Sequence, residues 1–274
     1  MKYSCQTLKI LLISIFFVTG SCVFANEGKP IFVKKTPMAR WGYSKSIDVV
    51  RAGKKSERFE VRHGDCFQIS SDWNDCTMDR ERAELSGNSG KKFSGKSSIW
   101  FGWSVYVPKD FVMSDKMLTF AGQLHRSGGP VFGSGKSKSL PPLFAFVFAK
   151  NSAGLCIFNK VKKDGLGCNY IIYTKNVSKD MEGRWNDVQV NFDNTISGGE
   201  ISLYVNNKKV GTKKDAVTHK ASYYYFKYGI YRSGLKNHLS AYGVPLGTQI
   251  LYFDELRYGD SRESVMVDEG RPLN

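Results

Sequence analysis

The sequence predicts an all-β protein, a β-sandwich of the jelly-roll type. Alternation of apolar and polar residues with a period of two dominates the 274-residue chain, which is typical of half-buried strands. No segment shows a long 3.6-residue period, and clusters of Gly, Asn, Asp and Ser separate the alternating segments as turns do. Many strands with few helices favour a jelly roll.

Several segments carry this alternation most clearly. Ser98–Val107 places aromatic and aliphatic residues on one side, whereas Leu143–Ala149 is apolar on both faces, as a central strand is. Asn186–Phe192 alternates Val and Phe with polar residues, and Ile201–Val205 repeats that pattern. The last predicted strands along the chain are Tyr223–Arg232 and Ile250–Tyr258.

The N-terminus has the form of an export signal. Two lysines accompany the apolar run Ile10–Val18, and Val23-Phe24-Ala25 offers small residues where a signal peptidase reads them. We predict cleavage after Ala25, a secreted or periplasmic protein, and one domain over residues 26–274, because no linker, charge block or internal repeat divides that part. The apolar run is too short to span a bilayer. A lipoprotein attached at Cys22 is the weaker alternative, since Thr19 stands where an aliphatic residue is usual.

Four cysteines remain after the predicted cleavage, and an even number in an exported chain predicts disulfides. They are Cys66, Cys76, Cys156 and Cys168. Three pairings are formally available, and the short separations favour the local pairs Cys66–Cys76 and Cys156–Cys168. The spacings lack a C-x-x-C pair, which disfavours a zinc site.

The formal charge of +15 falls to +13 once Lys2 and Lys9 leave with the signal. A strongly basic surface attracts polyanions, so nucleic acid, anionic lipid and acidic polysaccharide all fit the charge. Export disfavours nucleic acid. Charge alone does not choose between an anionic lipid and an acidic polysaccharide, and a merely soluble basic protein is a further alternative. We expect a monomer that does not insert into a membrane after signal removal.

The segment Met117–His125 is the first of three strands with polar groups on one face. Alternation places Leu118, Phe120 and Leu124 on one side and Thr119 with Gln123 and His125 on the other. Gln123 and His125 should therefore both point away from the core. The alternative is that His125 is an ordinary surface histidine near a strand end.

In Tyr223–Arg232 the odd positions carry aromatic rings and the Lys227 ammonium, with Gly229 leaving space before Tyr231. Flat rings with a few polar groups are typical of a sugar site. The alternative is that these tyrosines fill the core, but Lys227 argues against it for the odd face, because lysine is rarely buried unpaired.

In Arg80–Leu85, alternation gives Arg80, Arg82 and Glu84 a common face. A solvated, charged edge strand is the alternative. If the three strands were neighbours, they would present a set of polar side chains on one concave sheet face. That set is Arg82, Gln123, His125, Lys227 and Tyr231.

These segments resemble the jelly-roll polysaccharide lyases. RAEL (82–85), GQLH (122–125) and YFKYGIYR (225–232) are similar, in the same order, to the three motif strands of alginate-lyase-like enzymes. WFGWSVYVPKDF (100–111), GRWNDVQVNF (183–192), ISLYVNNKKV (201–210) and ILYFDELRYGD (250–260) look more like the heparin-lyase and glucuronan-lyase branch. The resemblance implies a concanavalin A-like jelly-roll sandwich. Ser86-Gly87 and Arg232-Ser233 depart from the alginate branch and leave the sugar undecided.

The resemblance also implies β-elimination at a uronic acid, with roles for matching residues. Arg82 and Gln123 would neutralise the carboxylate. His125 would remove the C5 proton as base, and Tyr231 would protonate the leaving oxygen. Lys227 would grip a neighbouring carboxylate or sulfate, and Arg232 joins the substrate-binding set. No cofactor is required. The fold can hold a structural Ca²⁺, for which Asp254 is a weak candidate ligand.

Other readings of the same residues are a carbohydrate-binding module without catalysis, a basic adhesin, and a glycoside hydrolase. The hydrolase needs two carboxylates about 5–9.5 Å apart, and Glu84 is the only acidic residue on the three polar faces. Ser127–Pro142 is interpreted as a lid or an unstructured hairpin loop. His63, His219 and His238 read as plain surface residues.

Overall fold

In the computed structural model, the strands form two facing antiparallel sheets and a separate two-stranded hairpin. The structure describes residues 29–30, 33–71, 73–87, 98–127, 142–158, 168, 170–193, 195, 198–216, 223–270 and 272–273. The predicted signal peptide, most of the predicted lid (128–141) and His219 lie outside these residues. No helix among the described residues is long and apolar enough to cross a membrane.

The first sheet has the strand order β15-β14-β13-β8-β17-β4-β3, with β1 also paired to β17. Its strands are β1 (Lys29–Pro30), β3 (Tyr43–Ser46), β4 (Ser56–Val61), β8 (Ser98–Val107), β13 (Arg184–Asp193), β14 (Ile201–Val205), β15 (Lys208–Lys213) and β17 (Gln249–Gly259).

The second sheet has the order β12-β11-β10-β9-β16-β7-β2. Its strands are β2 (Val33–Lys35), β7 (Arg80–Gly87), β9 (Leu118–Ser127), β10 (Phe144–Ala149), β11 (Ser152–Ile157), β12 (Tyr170–Asn176) and β16 (Tyr223–Ser233). The hairpin is β5 (Gln68–Ser70) with β6 (Trp73–Asn74), and the helices are α1 (Val177–Asp180), α2 (Leu235–Tyr242) and a 3₁₀ turn (Glu263–Val265). The predicted all-β sandwich is confirmed, and β16 lies between the other two motif strands, β9 and β7.

The core lies between the two sheets and is rich in aromatic rings. Phe101 and Trp103 of β8 contact Phe226 of β16, with ring centroids 5.5 and 5.1 Å apart. All three rings are at most 1% exposed, and truncating such a residue to Ala typically costs about 3–5 kcal/mol. Because each strand gives alternate residues to this core, the remaining positions of β7, β9 and β16 face outward.

The alternation breaks once in β9, and this overturns one prediction. Gln123 lies opposite Lys227 in β16, but three residues earlier Phe120 lies opposite Tyr231. Phe120 therefore shares the outer face and packs with Tyr231, whereas Leu124 belongs to the core. The predicted common face of Leu118, Phe120 and Leu124 is wrong, and Thr119 points inward to Gln249 instead of outward.

Gly122 is the residue that permits this break. Its φ is +146°, and a Cβ there would lie 3.0 Å from the Trp103 ring. A bulge re-aims the side chains that follow it. Phe120, Gln123 and His125 consequently all reach the outer face.

Both local disulfides are confirmed. Cys66–Cys76 joins Cα atoms 4.9 Å apart, and Cys156–Cys168 joins Cα atoms 5.5 Å apart. The first closes a loop that contains the small hairpin and Asp75 and that ends shortly before β7. The second ties the end of β11 to the segment that precedes β12.

The histidines outside the motif strands differ from one another. His63 is 62% exposed, as predicted, with its Nδ1 3.1 Å from Glu81. The prediction that His238 is a surface loop residue is wrong. It lies in α2, is 7% exposed, and its Nδ1 is 2.8 Å from the Ser114 hydroxyl.

Candidate active site

The outer face of the second sheet brings together the five side chains that the sequence analysis grouped. Arg82 of β7 lies directly opposite Tyr231 of β16. On the other side of β16, Lys227 lies opposite Gln123 of β9, and Tyr225 lies opposite His125. Directly opposed residues have Cβ atoms about 5 Å apart, so the five side chains lie along one face of three adjacent strands.

His125 is held in a defined tautomer. Its ring stacks on Tyr225, with centroids 4.9 Å apart and planes at 23°, and its Nδ1 lies 3.2 Å from the Arg126 carbonyl oxygen. A carbonyl only accepts, so Nδ1 carries the proton and Nε2 keeps a free lone pair. Burial, and next the charge of Lys227, lower the pKa of His125 well below 6.5. The imidazole is therefore neutral at pH 7 and able to accept a proton.

Tyr231 is held in the opposite state, as a protonated phenol. Its hydroxyl accepts a hydrogen bond of 2.8 Å from Arg80 Nε, and its ring packs edge-on against Phe120 at 5.2 Å. Burial raises its pKa to about 12, against the opposing effects of Arg80 and Arg82. Because the oxygen accepts from Arg80, the phenol proton is free to be donated elsewhere.

Arg82 has a different environment from the one predicted. Its Nε and Nη2 form a two-pronged pair with Asp75 at 2.5 and 2.6 Å, and its Nη1 lies 3.2 Å from Glu84. The side chain is 4% exposed and its guanidinium lies 4.6 Å from the centre of the Tyr231 ring. The fork that was expected to bind the substrate carboxylate is occupied by Asp75. Binding of a substrate carboxylate by Arg82 stays a prediction, and it would require the fork to exchange Asp75 for the substrate.

Glu84 occupies the centre of the cluster, a place that the sequence analysis did not assign to it. One carboxylate oxygen accepts from Gln123 Nε2 at 2.6 Å, and the other lies 4.0 Å from Lys227 Nζ. Burial lowers the pKa of Lys227, and Glu84 opposes that effect. Glu84 therefore orients the Gln123 amide and holds the ammonium in place. The sequence signal for this position was that Glu84 lies two residues after Arg82 and therefore on the same face of the strand.

Arg232 does not belong to the site, which corrects the prediction that it binds substrate. It is 0% exposed and points into the core side of β16, where it pairs with Glu81. Its Nη1 also donates to the Gly247 carbonyl oxygen at 2.7 Å. The reason is the period of two, which gives adjacent residues opposite faces, so Arg232 cannot share the face of Tyr231.

Arg80 is the site residue that the motifs passed over, because RAEL begins two residues later. It shares the parity of Arg82 and is half-buried. The charged cluster of the site consists of three cations and two carboxylates that contact one another or Tyr231, an excess of one positive charge. Its members are Arg80, Arg82, Lys227, Asp75 and Glu84.

The candidate calcium ligand Asp254 lies on the other sheet, in β17. Its carboxylate accepts backbone N–H groups of Arg51, Ala52 and Glu255 at 2.9–3.3 Å. The described part of the chain contains no group of three or more His, Cys, Asp or Glu side chains arranged to hold a metal ion.

The fold is a β-jelly-roll sandwich that carries aromatic and charged side chains on one outer sheet face. The chain belongs to the polysaccharide lyase family, whose sequence pattern matches residues 24–257. It is therefore a polysaccharide lyase with a β-jelly-roll fold, as the motifs indicated.

Solved structures agree on the fold. The endo-β-1,4-glucuronan lyase of the fungus Trichoderma reesei has a TM-score of 0.59 at 15% identity, over 86% of this chain and 98% of that one. Alginate lyase A1-II′, a member of polysaccharide lyase family 7, gives 0.53 at 16% identity, over 81% and 84%. A GH131 β-glucanase catalytic domain from Podospora anserina gives 0.51 at 9%, over 85% and 86%. No curated protein matches by sequence.

Proposed function

We propose that this polysaccharide lyase cleaves an acidic, uronate-containing polysaccharide by β-elimination, with His125 as base and Tyr231 as acid. The observation that carries the proposal is the opposite protonation of the two groups. His125 offers a free Nε2 and Tyr231 a protonated phenol, on neighbouring strands of one face. β-Elimination needs one group of each kind within reach of the same sugar.

The proton at C5 becomes acidic only when the adjacent carboxylate is neutralised. Gln123 gives one N–H of its amide to Glu84, which fixes the amide and leaves its second N–H for a substrate carboxylate. Lys227, 12% exposed beside Glu84, supplies positive charge to the same place. Arg82 contributes indirectly, through its contacts with Glu84 and the Tyr231 ring.

A uronate polymer is supported by two independent facts. The cluster has an excess of one positive charge, which suits one carboxylate at the scissile sugar. Two similar solved structures are a glucuronan lyase and an alginate lyase. Glucuronan, alginate, a heparin-like glycosaminoglycan and a bacterial exopolysaccharide are the polymers to test.

Glycoside hydrolysis, the activity of the similar β-glucanase, is less well supported by the site. It needs a carboxylic acid and a second carboxylate that are free to reach the sugar. Asp75 and Glu84 are 0% and 1% exposed, and both are bound to Arg82.

The proposal includes export and action as a monomer in the periplasm or outside the cell, without nucleic acid as partner. The two disulfides support an oxidising compartment. The basic composition, +15 for the whole chain, supports a polyanionic substrate.

The test is a panel of the four polymers, followed by the ultraviolet absorbance of unsaturated uronides. We expect one polymer to give product, and His125→Ala and Tyr231→Phe each to lower kcat by about 10²-fold or more with an unchanged circular dichroism spectrum. Arg184→Gln, at an exposed arginine of the other sheet, is the matched control. Binding of a polymer without any unsaturated product would support a non-catalytic binding module instead.

A further inference from the structure

The two arginines of β7 divide their hydrogen bonds differently. All three nitrogens of the Arg82 guanidinium contact protein carboxylates. Arg80 instead donates from Nε to the Tyr231 hydroxyl and from Nη1 to the Asp79 carbonyl oxygen, both at 2.8 Å. The charge of Arg82 is balanced by two acids, whereas the bonds described for Arg80 go to a phenol and a carbonyl.

We propose that Arg80 is the positioning residue of the reaction, which orients the Tyr231 hydroxyl and stabilises the phenolate that forms when Tyr231 gives up its proton. The inference rests on the proposed function of Tyr231 as the acid. It assigns to Arg80 a role that the motif beginning at Arg82 does not contain.

The electron flow shows where the positive charge is needed. His125 Nε2 takes the C5 proton, and the C–H electron pair becomes the C4–C5 double bond. The bond from C4 to the glycosidic oxygen breaks, and that oxygen takes the proton of Tyr231. A tyrosinate and an imidazolium remain, and a proton returned from His125 to Tyr231 through solvent restores both groups. Negative charge therefore develops on the atom that Arg80 contacts.

Four charged groups face Tyr231, and Arg80 is placed to dominate among them. Asp75 and Glu84 oppose the phenolate, while Arg80 and Arg82 favour it. Arg82 lies over the ring face and is paired to both acids, whereas Arg80 bonds the oxygen itself. An opposite charge at such a distance changes a pKa by about one to three units.

The backbone holds Arg80 in place from two sides. Its N–H donates to the Asp75 carbonyl oxygen at 2.9 Å, and Asp75 lies within the loop that the Cys66–Cys76 disulfide closes. The preceding residue, Asp79, adopts a left-handed conformation with φ of 62°. Its side chain accepts from the Lys236 N–H at 2.9 Å, which ties this turn to the start of α2, directly after β16.

The first experiment does not depend on activity. The protein is labelled with 3-fluorotyrosine, whose phenol is more acidic than that of tyrosine, and the ¹⁹F resonance of Tyr231 is identified by its absence in Tyr231→Phe. We expect Arg80→Gln to raise the pKa of this phenol by about one unit or more and Arg184→Gln to leave it unchanged. Equal pKa values in both variants would overturn the proposal. If Arg80→Gln does not fold, the same titration is done on Arg80→Met, which keeps the aliphatic part of the side chain.

The second experiment separates action through Tyr231 from action on the carboxylate. A uronide with fluoride at C4 needs no proton for its leaving group. We expect Arg80→Gln to lower kcat/KM about 10²-fold on the polymer, to leave fluoride elimination nearly unchanged, and to add no further loss in the Tyr231→Phe background. Equal losses on both substrates would contradict the proposal. If the wild-type protein releases no unsaturated product, the proposed function fails, and the ¹⁹F titration still decides whether Arg80 acts on Tyr231.

Discussion

Replacing Asp75 by Asn should destabilise the protein strongly, because it leaves the buried Arg82 guanidinium without its main partner. Asp75 is 0% exposed and Arg82 4% exposed, and they share two bonds of 2.5 and 2.6 Å. Removing one partner of a buried pair costs about 3–5 kcal/mol. Glu84 remains 3.2 Å from Arg82 and Asn keeps one acceptor, so we expect the lower end, about 3 kcal/mol.

Urea unfolding followed by circular dichroism measures this loss. The midpoint urea concentration should fall, while the dependence of the unfolding free energy on urea concentration stays constant. The control is Glu200→Gln, which removes an exposed pair with Lys214 at 3.8 Å and should change stability by less than about 1 kcal/mol. The double variant Asp75→Asn/Arg82→Met removes both charges and should recover much of the loss. Equal effects of Asp75→Asn and Glu200→Gln, or no recovery in the double variant, would refute the reasoning.

Three further predictions concern the site and its support. The acid limb of kcat/KM against pH should have its midpoint below 6.5, because the lowered pKa of His125 keeps the imidazole neutral at lower pH; a midpoint above 6.5 would exclude His125 as the base. Gly122→Ala should lower the free energy of unfolding by about 1–3 kcal/mol, measured in a thermal melt, because the new Cβ meets Trp103. The control Gly198→Ala is also at positive φ but has no atom within 4 Å, so it should lower stability less. Equal losses in both variants would show that crowding is unimportant. Cys66→Ser/Cys76→Ser should lower stability by about 3 kcal/mol and lower activity, because the loop carries Asp75; unchanged activity would separate the loop from the site.

Most of the strand faces could be predicted, because alternation is a local property of the chain. The parity of Gln123 with His125, and of Lys227 with Tyr231, survives in the structure. The same logic failed at Phe120, where Gly122 breaks the period. A glycine in a strand pattern is a signal for such a bulge, but its position in the sequence does not say which residues change face.

The roles of the arginines could not be predicted in the same way. Arg82 matched the motif and Arg80 did not, yet Asp75 reaches Arg82 from outside the strand and leaves Arg80 to contact Tyr231. Arg232 was assigned from its place in a motif, against the parity that directs it into the core. A residue type in a motif indicates which chemistry is available, whereas its partners decide whether that chemistry reaches a substrate.

The sequence alone indicated the all-β class, favoured the local disulfides and predicted most of the polar faces of three strands, because each depends on near neighbours in the chain. Only the tertiary structure decided that β16 lies between β7 and β9, that Asp75 pairs with the Arg82 guanidinium, and that Arg80 contacts Tyr231. Those contacts join residues 7 to 151 positions apart. They depend on how the sheet orders its strands and how a disulfide-closed loop folds over it, which no local pattern encodes.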